Sequence, residues 1–214
     1  MKELTRQKKL DPKYRLTKIK SETSKGELLR PEIISEWLNF SVDKPVNLFA
    51  LDLKQIHKIL KKKLVLNRVK VSIEPPSQLV IWSEMREPIA FLGERKNMGL
   101  DIHGNVFPLS PFYTPKKLPK LFTGKKENFK IAKSVLEWLS EAQVLDRVQT
   151  IDVTKANASS LGEREVIIQA DGAFGRLNPD FLASGLEKFF KIHPKPGAQV
   201  DLRIEGILLY DGDY

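Results

Sequence analysis

The stretch Val69-Lys70-Val71-Ser72-Ile73-Glu74, followed by Pro75-Pro76-Ser77 and then Gln78-Leu79-Val80-Ile81-Trp82, decides how the first part of the chain folds. Val69, Val71 and Ile73 alternate with Lys70, Ser72 and Glu74, the period of a half-buried strand. Proline has no N–H to give a ladder, so the chain turns at Pro75-Pro76-Ser77. Leu79 to Trp82 is a more continuous apolar run, read as a second strand whose apolar sequence resumes at Ile89–Leu92, with Trp82 in the core. Upstream, Tyr14, Leu16 and Ile19 suggest an earlier strand. Pro31 suits the first residue of a helix, and Ile33, Ile34, Trp37 and Leu38 share one face of it. Asp52 can cap a second helix, with Gln55 three residues on, and Leu53, Ile56, Ile59 and Leu60 form its stripe. The order is strand–helix–helix–strand–strand, in which two amphipathic helices bury their stripes on one face of a three-stranded sheet.

The second half reads as strands with two helices. Asp101-Ile102-His103-Gly104-Asn105-Val106-Phe107 suggests strand, turn, strand. Ala132, Val135, Leu136, Leu139 and Ala142 mark a long helix. Val148, Ile151 and Val153 begin a strand, Val166–Gln169 another, and Gly172-Ala173-Phe174-Gly175 reads as a short turn. Asn178-Pro179 signals a helix start, with Leu182, Leu186, Phe189 and Phe190 facing inward. The last strand runs from Val200 to Tyr210. It sets Val200, Leu202 and Ile204 on one face and Asp201, Arg203 and Glu205 on the other. The expected fold class is α+β: residues 1–13 a basic flexible leader, 14–92 the strand–helix–helix–strand–strand domain, and 93–214 a second domain with an antiparallel-rich sheet.

The composition excludes several kinds of chemistry. The chain has 214 residues and no cysteine, which removes disulfides, thiolate catalysis, zinc–thiolate sites and iron–sulfur clusters. His57, His103 and His193 are far apart and lack metal-ligand spacing, and no phosphate loop, G-x-G-x-x-G or G-x-S-x-G is present. No catalytic residue, metal or cofactor is expected. No uninterrupted apolar run exceeds about five residues, whereas a membrane-spanning helix needs about 20. The net charge is +9, and residues 1–30, with ten basic and four acidic side chains, carry two thirds of it. The stripe Lys54, Lys58, Lys61, Lys62, Lys63, Arg68 and Lys70 keeps open an alternative reading as a nucleic-acid- or anionic-membrane-binding module. Nucleic acid is the weaker choice, because no exposed aromatics appear interleaved with the charge.

A leucine-rich lead-in and four motifs after it, in order, resemble the FtsQ/DivIB family of bacterial cell division proteins. Leu48-Phe49-Ala50-Leu51-Asp52-Leu53 leads into a helix, and Val69-Lys70-Val71 leads through Glu74-Pro75-Pro76-Ser77-Gln78-Leu79-Val80-Ile81. Met85-Arg86-Glu87-Pro88-Ile89-Ala90 and Asp101-Ile102-His103-Gly104-Asn105-Val106-Phe107 follow, and Val200-Asp201-Leu202-Arg203 lies near the C-terminus. The family's Glu-Arg before proline is rearranged here as Arg86-Glu87. The resemblance implies a POTRA domain followed by a β domain, no enzymatic activity, and a scaffold role in the divisome. It also implies FtsB (DivIC)- and FtsL-like partners bound by strand addition to the last strand. The residues so implied are Val200, Leu202, Arg203, Ile204, Glu205, Gly206, Ile207 and Tyr210, with Arg203 pairing a partner carboxylate. It further implies an inner-membrane, bitopic protein whose soluble part is extracytoplasmic, with a membrane anchor that is not in this chain.

Overall fold

The computed structural model describes residues 7–24, 26–41 and 43–211. The fold is mixed α+β and divides into two compact units. The first takes residues up to Glu87 together with Ser110–Thr114, and the second takes Pro88–Leu109 and Pro115 onward.

In the first unit β1 (Lys18–Glu22) is followed by α1 (Pro31–Leu38), α2 (Leu53–Lys61), β2 (Leu66–Glu74) and β3 (Gln78–Met85). The strands order as β1-β3-β2, with β1 parallel and β2 antiparallel to the central β3. Pro31 occupies the first turn of α1, where its missing N–H costs nothing. Asp52 caps α2 by accepting from the backbone N–H groups of Lys54 and Gln55, both at 3.0 Å. Ile33, Ile34, Ile56 and Leu60 are buried, as are Leu79 and Ile81 of the central strand. Val69, Val71 and Ile73 pair with Ser83, Ile81 and Leu79, so one sheet face is apolar. The other carries Arg68, Lys70, Val80, Trp82 and Glu84. Trp82 is therefore not in the core: it is half-buried on the second face, with the Lys70 ammonium 5.0 Å from its ring centroid. Trp37 is likewise half-buried, against Phe112 at 5.6 Å and under Lys63.

The segment expected as leader is structured from residue 7, and its first six residues lie outside the described ones. Residues 7–10 are helical, and Asn47 holds them: its Nδ2 donates to the carbonyls of Lys8 and Asp11 at 3.0 and 3.1 Å. The Asn47 Oδ1 accepts from Phe49 N, and Tyr14 packs edge-on to Phe49 at 4.9 Å. A lysine-rich segment without apolar periodicity is thus fixed by backbone carbonyls, which sequence periodicity does not register.

The second unit holds β4 (Ala90–Leu92), β5 (Met98–Leu100), β6 (Val106–Pro108), β7 (Lys120–Phe122), α3 (Phe129–Glu141), β8 (Val148–Asp152), β9 (Val166–Ala170), β10 (Ala173–Leu177), α4 (Leu182–Ile192), β11 (Gln199–Leu202) and β12 (Leu209–Asp211). They form one nine-stranded sheet in the order β12-β11-β10-β9-β8-β7-β4-β5-β6. The apolar stripes of α3 and α4 join Ala90, Leu121, Ile151, Ile168, Leu177 and Val200 in one core.

Three sequence expectations change here. Ile89–Leu92 does not resume the first sheet: Ala90 and Phe91 pair with β5, and Phe91 and Leu92 with β7. Asp101 and Ile102 leave the strand, because the Asp101 carboxylate accepts from the backbone N–H groups of His103 and Asn105 at 3.0 and 2.8 Å and folds a turn around itself. Of Gly172–Gly175 only Gly172 lies in a turn, and Ala173 to Gly175 start β10. Asp171 and Gly172, at φ 51° and 81°, make the tight turn, and β9 and β10 pair across it. Gly175 lies within β10, where a Cβ would come 2.7 Å from the ring of Phe189 on α4. The absent side chain lets the helix sit directly on the sheet. Gly175→Ala is expected to destabilise the protein by about 1–3 kcal/mol in urea unfolding. Gly162→Ala, where the nearest atom would be 4.0 Å away, should stay near wild type.

Candidate functional site

The residues implied as a partner-binding strand do not form one strand. Gln199–Leu202 is β11, residues 203–208 bend back, and Leu209–Asp211 is β12, antiparallel to β11. Val200 and Leu202 are 1% and 6% exposed and belong to the core, so neither can meet a partner side chain. Val200 lies between β10, where it pairs with Gly175, and β12, where it pairs with Tyr210. Among the described residues β12 is one edge of the sheet and β6 is the other.

Asp201 causes the bend. Its Oδ1 accepts from the backbone N–H of Arg203 at 3.1 Å, taking that donor away from any ladder. The same carboxylate grips the Arg203 guanidinium, with Nε 3.0 Å from each oxygen and Nη2 2.6 Å from Oδ2. The Arg203 carbonyl accepts from Asn178 Nδ2 at 2.9 Å, while Asn178 Oδ1 caps the Pro179–Phe181 turn that leads into α4. Arg203 is thus held on both its side chain and its main chain. The expected pairing with a partner carboxylate is taken up inside the molecule.

The cluster extends to Glu165, whose side chain is 7% exposed. Arg176 Nε and Nη2 both donate to its Oε2, at 2.8 and 2.6 Å. Lys155 Nζ lies 3.6 Å from Oε1, and Arg203 Nη1 lies 3.9 Å from Oε2. Arg176 also reaches Asp201, 3.7 Å away, which agrees with their registry across β10 and β11. A buried carboxylate is tolerable only when its lost hydration is replaced, and two guanidinium groups with an ammonium do that here. Glu165 and Arg176 escaped the sequence reading. Glu165 follows Glu163 and Arg164, a charged run that looks like a solvated loop, and the glycines around Phe174 make the start of β10 look like a turn.

Beside this polar cluster lies a cleft of about 290 Å³, bordered by Leu161, Gly162, Arg164, Asn178, Arg203, Ile204, Ile207 and Leu209. Leu161, Ile204, Ile207, Leu208 and Leu209 are all at least 41% exposed. Five large apolar side chains at one edge exceed the scatter of single exposed leucines on an ordinary surface. Glu205 and Gly206 form the exposed tip of the turn, with Gly206 at φ 77°. The half-buried Tyr210 sits on β12, its hydroxyl 3.5 Å from the backbone N of Lys195.

The three histidines are exposed, and no three metal-ligating side chains come together among the described residues. No helix among them is long and apolar enough to cross a membrane. No family model matches the chain, and no curated protein matches it. The fold and the edge define an α+β protein of two units with an apolar-rimmed, one-sided strand at the end of its larger sheet.

The Arg203 hydrogen bonds hold the Asp201 carboxyl below the usual carboxylate range, against burial that pushes it up, and Asp201 in turn raises Arg203. A carboxylate depressed in the folded state stabilises above its unfolded pKa, and the contribution is lost as pH falls through the lower folded value. In Arg203→Met the stability deficit against wild type is expected to be full between about pH 5 and 7 and to shrink below about pH 4. Urea unfolding across that range measures it.

Proposed function

We propose that the chain is the soluble part of a non-enzymatic cell division scaffold of the FtsQ/DivIB kind. Its first unit is a POTRA domain, and its second is a β domain that takes a strand from an FtsB (DivIC)- or FtsL-like partner. A membrane anchor outside this sequence and an extracytoplasmic location belong to the same reading. The observation that carries it is β12. It is paired on one side only among the described residues, and Ile207, Leu208 and Leu209 are exposed along and just before it. An edge of this kind satisfies its outward N–H and C=O groups by taking up another strand, and apolar side chains around it supply affinity. The β1-β3-β2 order of the first unit, reached through two helices, also agrees with the POTRA arrangement that the resemblance implies.

Within this proposal the contact residues differ from those the resemblance implied. Leu209, Tyr210 and Asp211 offer the backbone edge, while Ile204 and Ile207 offer apolar surface. Arg203 acts as a positioning residue that keeps the hairpin folded through Asp201. The test is binding of a synthetic peptide covering the soluble C-terminal segment of the FtsB (DivIC)-like protein from the same organism, followed by fluorescence anisotropy. Ile207→Asp and Leu209→Asp are each expected to weaken binding at least ~10-fold with an unchanged circular dichroism spectrum. Wild-type affinity in both variants overturns the assignment of this edge.

A further inference from the structure

The start of the first unit carries a surface whose chemistry is unlike that of β12. Residues 7–20 hold six basic side chains and one acidic one, Asp11. Asp11 is used by the fold: its Oδ1 accepts from the backbone N–H of Lys13 at 2.9 Å and caps the short turn Pro12–Tyr14. Lys20 is paired with Glu22 at 2.8 Å. Lys8, Lys9, Lys13, Arg15 and Lys18 are all exposed and meet no carboxylate among the described residues. Among these cations stands Leu10, 80% exposed, the most exposed large apolar side chain of the described residues.

This surface is fixed by the fold. Asn47 holds residues 8–11 by two backbone carbonyls, and the Leu16 N–H donates to the Val46 carbonyl at 2.8 Å. The half-buried rings of Tyr14 and Phe49 pack edge-on, with the Lys13 and Lys8 ammonium groups 6.0 and 5.2 Å from their centroids. Arg15 and Lys18 lead on into a groove of about 430 Å³ that Lys44 also lines, and no acidic side chain borders it. The backbone here is closed to a partner strand. The N–H groups of Asp11, Tyr14, Arg15 and Leu16 donate to the carbonyls of Gln7, Asp11, Pro12 and Val46, that of Lys13 donates to the Asp11 carboxylate, and Pro12 has none. A partner therefore meets side chains, not a ladder.

We propose that this face docks on an anionic lipid surface. Unpaired cations held in one place match a layer of headgroup phosphates. The apolar stems of the lysines can sink while their ammonium groups stay with the headgroups, and Leu10 between them reaches the acyl boundary. A nucleic-acid strand fits less well, because the rings it could stack on already pack against each other and lie under lysines. An extended acidic peptide finds no free backbone donors to pair with. The surface shares no residue with the β12 edge and does not depend on the division reading.

The test is co-sedimentation of the full chain, at physiological salt, with vesicles of phosphatidylcholine alone or with about one third phosphatidylglycerol. Binding is expected on the anionic vesicles only. K8E/K9E/K13E is expected to weaken it at least ~10-fold with an unchanged circular dichroism spectrum. An equal loss in K58E/K61E/K62E, which changes the net charge by the same amount on α2 and just after it, reduces the effect to overall charge and overturns the proposal. Because the chain has no cysteine, L10C takes a single polarity-sensitive dye. Its emission is expected to shift to the blue on anionic vesicles, while the same dye on S140C, on α3 of the other unit, should not shift. A dye at position 10 that stays in water, or equal shifts at both positions, overturns the proposal whether or not the lysine variant folds. Binding to neutral vesicles as tight as to anionic ones overturns it as well. Displacement from the vesicles by oligothymidine at equal phosphate concentration overturns it in favour of a nucleic-acid strand.

Discussion

The hydrogen bond from the backbone N–H of Arg203 to the Asp201 carboxylate is the constraint on which the C-terminal edge depends. Without it the apolar alternation of Val200, Leu202 and Ile204 would continue outward as one long strand. With it the chain leaves the sheet after Leu202, bends, and returns as β12, so that buried Val200 and exposed Leu209 come from the same short hairpin. The bend does not stand alone. Asp201 is gripped by the guanidinium it orients, that guanidinium lies near Glu165, and Glu165 is compensated by Arg176 from the neighbouring strand. Charges from the start of β9, the middle of β10 and the end of β11 therefore fix where the last strand can lie. A network of this kind adds little net stability after desolvation, but it makes the alternatives costly by leaving a buried carboxylate uncompensated.

The two units treat their helices alike and their edges differently. Each sheet buries one face under two helices whose apolar stripes supply the core. The second unit brings its last helix close enough that Gly175 must lack a side chain against Phe189. At the β12 edge Ile204, Ile207, Leu208 and Leu209 are exposed beside Glu205 and Asp211, and Arg176 and Arg203 are paired with carboxylates, which suits a partner with an apolar strand face. At the β2 edge the exposed residues are basic. The electrostatics of the first unit would repel a second copy of that edge.

The elements with strong periodicity or strong punctuation were legible in the sequence. These include the alternation of Val69–Ile73, the capped start of α2 at Asp52, and the stripe of α3 from Ala132 to Leu139. What failed did so for physical reasons. Ile89–Leu92 reads as strand in either sheet, and only pairing distinguishes them. β10 was hidden because Gly175 is chosen for close approach of Phe189, and a glycine in a strand reads locally as a turn. The final strand reads as too long because the side chain of Asp201, not a proline or glycine, ends β11, and a carboxylate that takes a backbone donor leaves no mark in the hydrophobic pattern. Trp82 reads as core from its apolar neighbours, although period-two alternation turns it to the opposite face from Ile81.

Ser110–Thr114 belongs to the first unit although both flanking segments belong to the second. Phe112 packs on Trp37, Arg30 donates to the Pro111 carbonyl, and the Tyr113 hydroxyl donates to the Arg86 carbonyl. The chain thus passes from one unit to the other three times. During synthesis from the N-terminus, the first unit lacks these contacts until residue 114 has emerged, by which time β4, β5 and β6 are already made. The second unit, conversely, begins before the first is complete and ends after it. The two are interleaved in time as well as in sequence, and no single cut in the chain yields both of them whole.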